Sequence, residues 1–274
     1  MRKRTLLLFV ILLHCGAALS KSPIYKKILP NGLTVLVYPE ERFSKVSMQL
    51  WYGVGSKDEE EGQKGIAHYI EHTVFKGTTD KGLGLTEADI PLLTHKLAGD
   101  CNAMTSYDNT VYLFNVPKCH WKLVFPVMAD CMRNCSFKQD LINSELKAVL
   151  QELKRGKDNY KNYLVTEMAQ KMFAGHPYSY PIIGYKKDLC SVSQEGILNF
   201  YHKHYIPNNA ALVVVGDVTP KDVFQEAENA FGKIAADLSY QRGENSVNFD
   251  VPDKNEEMIL YRDVKQPVLC IGFK

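Results

Sequence analysis

His68, Glu71 and His72 stand in the order H-x-x-E-H inside Gly65-Ile66-Ala67-His68-Tyr69-Ile70-Glu71-His72. On a helix, residues four apart share a face, so the two imidazoles lie one turn apart, as sharing one small cation requires, with Glu71 beside them. A histidine pair alone at this spacing is common by chance. A zinc ion that does chemistry takes three protein ligands and keeps a place for water, so a carboxylate must come from elsewhere in the chain. Ser144-Glu145-Leu146-Lys147-Ala148-Val149-Leu150-Gln151-Glu152 offers two. Glu145 and Glu152 are separated by close to two helical turns, project to nearly one face, and either could reach the metal. Glu71 has a different role open to it. A carboxylate next to zinc-activated water can accept its proton during attack on a carbonyl and return it to a leaving amine.

The elements that must position these side chains follow from periodicity. Tyr25 to Glu40 reads as a hairpin turning at Pro30-Asn31-Gly32. Val46 to Tyr52 alternates apolar and polar residues as a further strand, ended by Gly53, Gly55 and the acidic run Asp58 to Glu61 just before the histidine helix. Thr86 to Ala98 has helical spacing at Ile90, Leu93 and Leu97, with Gly99 closing it and Pro91 in the first turn or at a break. Val111 to Val116 is a strand. Helices are expected over Trp121 to Met132, Leu141 to Arg155 and Tyr160 to Phe173, a loop over Gly175 to Pro181, and a helix opened by Ser191 that reaches Tyr205. Ala210 to Gly216 is an apolar run suited to a central strand, with a helix from Pro220 to Phe231 behind it.

With 274 residues, 45% apolar and 23% charged, the chain can bury a sizeable core. Its 33 basic and 31 acidic side chains leave a formal charge of only +2, so no nucleic acid or anionic membrane surface is expected as a bulk partner. Residues 1–20 read as a secretory signal peptide: Met1-Arg2-Lys3-Arg4 is basic, Thr5 to Leu13 is an apolar run too short to span a bilayer, and Ala18-Leu19-Ser20 is small. Export to the periplasm or beyond follows, without a stable membrane span. Cys15 is a poor lipid-attachment site with His14 before it. Cys101, Cys119, Cys131, Cys135, Cys190 and Cys270 permit disulfides without assigning them, and Cys131 with Cys135 reads as buried or unpaired thiols rather than a metal site. His95, His120 and His176 have no matching acidic or thiol partner in sequence, and His202 and His204, two apart, point to different helix faces.

The strings Gly65 to Thr78, Gly99-Asp100-Cys101-Asn102-Ala103-Met104-Thr105, Thr110-Val111-Tyr112, Glu145 to Glu152, Gly175 to Gly184 and Tyr205 to Asp217 resemble the pitrilysin/insulinase family of zinc metallopeptidases (peptidase family M16), which includes the mitochondrial processing peptidases. The resemblance implies an α+β fold, a mixed, mainly antiparallel sheet packed by helices, like the metallohydrolase domain of the mitochondrial processing peptidases and LuxS. It implies one zinc held by His68, His72 and Glu152, Glu71 as general base, Glu145 as a supporting carboxylate, and Asn102 and Ala103 on an edge strand that pairs with extended peptide substrate. A plain turn is the alternative for Asn102-Ala103. The interval from His72 to Glu152 is longer than the family pattern, which keeps Glu145 in play as third ligand. Family members also carry a second, related half that lacks the zinc motif and helps grip the peptide. The expected layout is a catalytic domain over 24–236, a linker over 237–250, and over 251–274 the start of a second, truncated domain, with Met258 to Lys274 forming a new strand pair. A second half or partner subunit is therefore expected. The rival reading is a truncated or non-catalytic member that binds zinc or serves as an assembly subunit.

Overall fold

Alternation of buried and open side chains in three segments sets the layering. In Lys45–Tyr52, Val46, Met48, Leu50 and Tyr52 are buried; Val35 and Val37 in Thr34–Pro39, and Tyr112, Phe114 and Val116 in Thr110–Pro117, repeat the pattern. Successive strand residues point to opposite faces, so each segment presents one apolar face to a single layer of helices. The computed structural model describes residues 23–242 and 256–273. The expected signal peptide and most of the expected linker lie outside the described residues.

The strands are β1 (Tyr25–Ile28), β2 (Thr34–Pro39), β3 (Lys45–Tyr52), β4 (Asp100–Thr105), β5 (Thr110–Pro117) and β6 (Ala210–Gly216). They form one sheet in the order β1-β2-β6-β3-β5-β4, in which only β2 and β6 run parallel. This is the mixed, mainly antiparallel sheet expected. The apolar run Ala210–Gly216 is interior, between β2 and β3, and β4 is an edge. Asn31 and Gly32 make the first turn, where Gly32 has φ 85 and the Asn31 amide donates to the carbonyls of Phe231 and Ile234.

The helices are α1 (Ile66–Val74), α2 (Asp89–Lys96), α3 (Val124–Arg133), α4 (Gln139–Asp158), α5 (Tyr160–Met172), α6 (Lys186–Ser191), α7 (Gln194–His204) and α8 (Pro220–Phe231). Helix α1 packs against β4, α4 and α7, and α8 covers β2 and α3. Four details differ from the sequence expectation. Ala98, with φ 52, takes the left-handed position after α2 instead of Gly99, while Pro91 sits within the first turn of α2 as one of its two expected places. Ser193, not Ser191, opens α7, accepting from the Gly196 amide, and a separate short helix α6 precedes it. Trp121 to Leu123 form a 3-10 turn before α3. The strand pair expected over Met258 to Lys274 is not formed among residues 256–273. A strand needs a ladder partner; instead Glu256 pairs with Lys171, and Arg262 lies over the ring of Tyr163, so this segment rests along α5. The six cysteines in the described residues are free thiols, with Cys131 and Cys135 buried.

Candidate metal centre and active site

Helix α1 begins without a capping side chain of its own, since its N-cap is Gly65 at φ 101. A Cβ there would lie 2.6 Å from the Ile183 carbonyl, so glycine is required by both torsion and space. The orphan amides of the first turn are met from the preceding loop: the buried carboxyl of Glu59 accepts from Gly65 N at 2.8 Å and Ala67 N at 2.9 Å. Burial pushes the Glu59 carboxyl up to about 8, against those two amides and the nearby Lys64. Ile66, Ala67, Tyr69, Ile70 and Val74 bury one side of the helix. Tyr69 OH donates to the Ile142 carbonyl at 2.6 Å, tying α1 to α4. These contacts fix where His68, Glu71 and His72 point.

His68 Nε2 lies 3.7 Å and His72 Nε2 3.4 Å from Glu152 Oε2. Tetrahedral zinc with bonds of about 2.1 Å places its ligand atoms roughly 3.4 Å apart, so this three-atom set fits the metal. One ligand atom from each of His68, His72 and Glu152 falls within 4.8 Å of the others, which no other group of His, Cys, Asp and Glu among the described residues does. Burial first, then the His72 charge, pushes His68 down to about 4, with Glu152 pulling the other way. Its imidazole is therefore neutral at pH 7, the form that ligates. His68 Nδ1 is buried with no hydrogen-bond partner, so that nitrogen does not fix the ring. His72 is held differently: its Nδ1 lies 3.4 Å from Glu145 Oε2, and Glu145 Oε1 accepts from Lys76 Nζ at 2.8 Å.

Glu71 projects from the same helix towards β4, where Thr105 Oγ1 donates to its Oε2 at 2.5 Å. Burial raises the Glu71 pKa, while the Thr105 bond and His72 draw it down. Asn102 and Ala103 lie on β4 itself, with Asn102 Oδ1 accepting from Ala103 N at 2.9 Å. The turn alternative for that dipeptide is excluded. Sequence reasoning missed Glu59, Tyr69, Lys76 and Thr105. Thr105 alone left a usable trace, being two residues beyond Ala103 and hence on the same strand face.

A family model described as Insulinase (Peptidase family M16) matches residues 35–186, and one described as Peptidase M16 inactive domain matches 191–274. The chain belongs to peptidase family M16, the insulinase family. An uncharacterized zinc protease of Rickettsia bellii is 31% identical over 248 residues, which are 90% of this chain and 57% of that protein. The zinc protease PqqE of Helicobacter pylori is 30% identical, over 81% of this chain and 50% of that protein. Among solved structures, a protease from Helicobacter pylori superposes with TM-score 0.74 at 27% identity, covering 80% of this chain and 52% of that one. The first half of the periplasmic protease PqqL from Escherichia coli gives TM-score 0.71 at 26% identity, covering 85% and 49%. The M16 chain thus spans about half the length of these relatives.

Proposed function

We propose that this M16 chain is the zinc-binding half of an exported endopeptidase that hydrolyses short or unfolded peptides. The observation that carries the reading is the convergence of His68, His72 and Glu152 at ligand spacing with Glu71 held beside them. In this reading His68 and His72 through Nε2, and Glu152 through Oε2, hold one zinc ion, and Glu145 steadies the His72 ring from its other nitrogen. Zinc, when bound, supplies a Lewis acid and a water acidified towards neutral pH. Glu71 is the general base: it takes the proton from the attacking water and passes it to the departing amide nitrogen. Its half-buried setting favours this work, because a carboxylate with a raised pKa is a stronger base than one in open water.

The substrate class rests on β4. Its outer edge has no neighbouring strand among the described residues, and an extended peptide can add there through backbone hydrogen bonds, with Asn102 and Ala103 in contact. Such pairing reads chain conformation more than side chains, which suits unfolded peptides. Export is supported by the basic, apolar and small order of residues 1–20. The proposed layout keeps a catalytic domain over 24–236, a linker over 237–250 and the beginning of a related domain over 251–274. A second homologous half or subunit would complete the peptide chamber, in keeping with relatives of about twice the length. That same length favours a second reading, in which the chain alone binds zinc without hydrolysing peptides.

Both readings are separated by assaying an unstructured peptide with this chain and with a form extended to the length of its relatives. Hydrolysis in either form, abolished by Glu71→Gln while zinc stays near one per chain, supports the peptidase. Full activity in Glu71→Gln refutes the base assignment; zinc binding without hydrolysis in both forms favours the second reading.

A further inference from the structure

We infer that Thr105 is a positioning residue for Glu71, linking the aim of that carboxylate to the strand edge on which a peptide would lie; the inference rests on the reading of Glu71 as base. Thr105 ends β4, is buried, and its hydroxyl donates to Glu71 Oε2 at 2.5 Å. Threonine is stiff at χ1, whereas glutamate has three free torsions, so the rigid partner selects the rotamer of the flexible one. The strand end that carries Thr105 is itself anchored. Ser106 N donates to Asn109 O at 2.8 Å in the tight turn, and Thr110, the residue paired with Thr105, is fully buried and donates to the Val54 carbonyl at 3.0 Å.

The phase of the ladder relates Thr105 to the peptide edge. Ser106 bonds across to Asn109, so the alternation of an antiparallel pair makes Met104 with Val111, and Asn102 with Leu113, the hydrogen-bonded pairs. The N–H and C=O groups of Ala103 and Thr105 then point away from β5. The Ala103 amide agrees with this, since it is met by the Asn102 side chain rather than by β5. Thr105 turns both its hydroxyl and its backbone amide to Glu71, while Ala103, two residues before it on the same strand, faces the free edge. A peptide paired at Ala103 would lie in a fixed register relative to Glu71.

The test uses the full-length protein with Thr105→Val, which keeps the shape and removes the hydroxyl, and Thr105→Ser, which keeps the hydroxyl. Thr105→Val is expected to lower kcat about 10- to 100-fold with KM changed less than about threefold and zinc content unchanged, and Thr105→Ser to recover most of kcat. A second readout needs no activity: in urea unfolding of Thr105→Val, Glu71→Ala and the double variant, the two effects should sum to more than the effect of the double variant. An unchanged kcat in Thr105→Val, failure of Thr105→Ser to rescue, or additive stability effects would each overturn the inference. Should the wild-type protein hydrolyse nothing, the peptidase reading falls while the unfolding cycle still decides the Thr105 bond.

Discussion

Tyr69→Phe isolates a contact that ties together the two helices of the proposed metal centre. Tyr69 is 1% exposed, and its hydroxyl reaches the Ile142 carbonyl at 2.6 Å across the α1–α4 boundary. Burial raises that hydroxyl to about 12, so the donor keeps its proton throughout any ordinary assay range. The substitution removes one oxygen and leaves the ring in place, so no cavity term arises. Ile142 is in the first turn of α4, and its carbonyl retains a helical amide, so only part of the cost of an unpaired group applies. The loss is then that of one buried hydrogen bond, about 1 kcal/mol, equivalent to a Tm lower by about 2–4 °C in a chain of this size. Zinc binding gives a second number. If the metal needs α1 and α4 in register, the Tyr69 bond can contribute no more to affinity than it does to docking, which limits the loss to roughly fivefold. Urea unfolding of the metal-free chain and a chelator-competition titration measure the two quantities. Unchanged stability, or zinc affinity lowered more than about tenfold with stability intact, would show that the bond is not the tie between the helices.

Glu145→Gln is expected to weaken zinc binding about 10- to 100-fold by releasing the His72 ring, and Glu152→Gln to weaken it further; the reverse order in the same titration would make Glu145 the ligand. Burial, with Lys203 adding to it, holds buried His204 down to about 4. Its folded pKa lies below the unfolded value of about 6.5, so its contribution is present above that pH and lost as pH falls towards 4. His204→Gln should therefore flatten the acid limb of stability by up to about 1.4 kcal/mol per pH unit in that window, and an unchanged slope would contradict the burial argument. Because the thiols are free, the melting temperature should not respond to reductant, and a thiol reagent should label exposed Cys119 and Cys190 before buried Cys131 and Cys135. A reductant-dependent melt would refute that arrangement.

Much of the fold was legible because its signals are local. Asn31-Gly32 marks a hairpin through torsions that glycine supplies, and alternation in Val46 to Tyr52 marks a strand with one face buried. The apolar run Ala210–Gly216 identified an interior strand, though nothing in it says that its partners are β2 and β3, because pairing is a property of the assembled sheet. Errors came where tertiary contact overrides a local preference. Ser193 rather than Ser191 caps α7 because Ser191 is the last residue of α6, a separate turn packed through buried Leu189. Glu59 was legible only as one acid in a charged run; its burial under α1 depends on the chain doubling back from β3. For the site, H-x-x-E-H marks three residues on one turn, but Thr105 and Lys76 contribute through distances that no spacing rule contains.

Glu145 and Glu152 show most plainly what spacing can and cannot say. Seven residues apart on a helix, they share a face, and that is why sequence alone admits either as a ligand. The same seven residues also separate them by about 10 Å along the axis, at about 1.5 Å per residue. Carboxylates on backbones that far apart reach a shared group from opposite sides. His72 is the object between them, with Glu152 Oε2 3.4 Å from Nε2 and Glu145 Oε2 3.4 Å from Nδ1. Since His68 Nε2 also faces Glu152, the space bounded by both imidazoles is on the Glu152 side. Carrying Glu145 to that place by sliding α4 two turns would break the Tyr69–Ile142 bond and withdraw Ile142 and Val149 from the core. The proposed division of labour between the two acids therefore follows from helix rise and from the packing and the Tyr69–Ile142 hydrogen bond that hold α4 against α1.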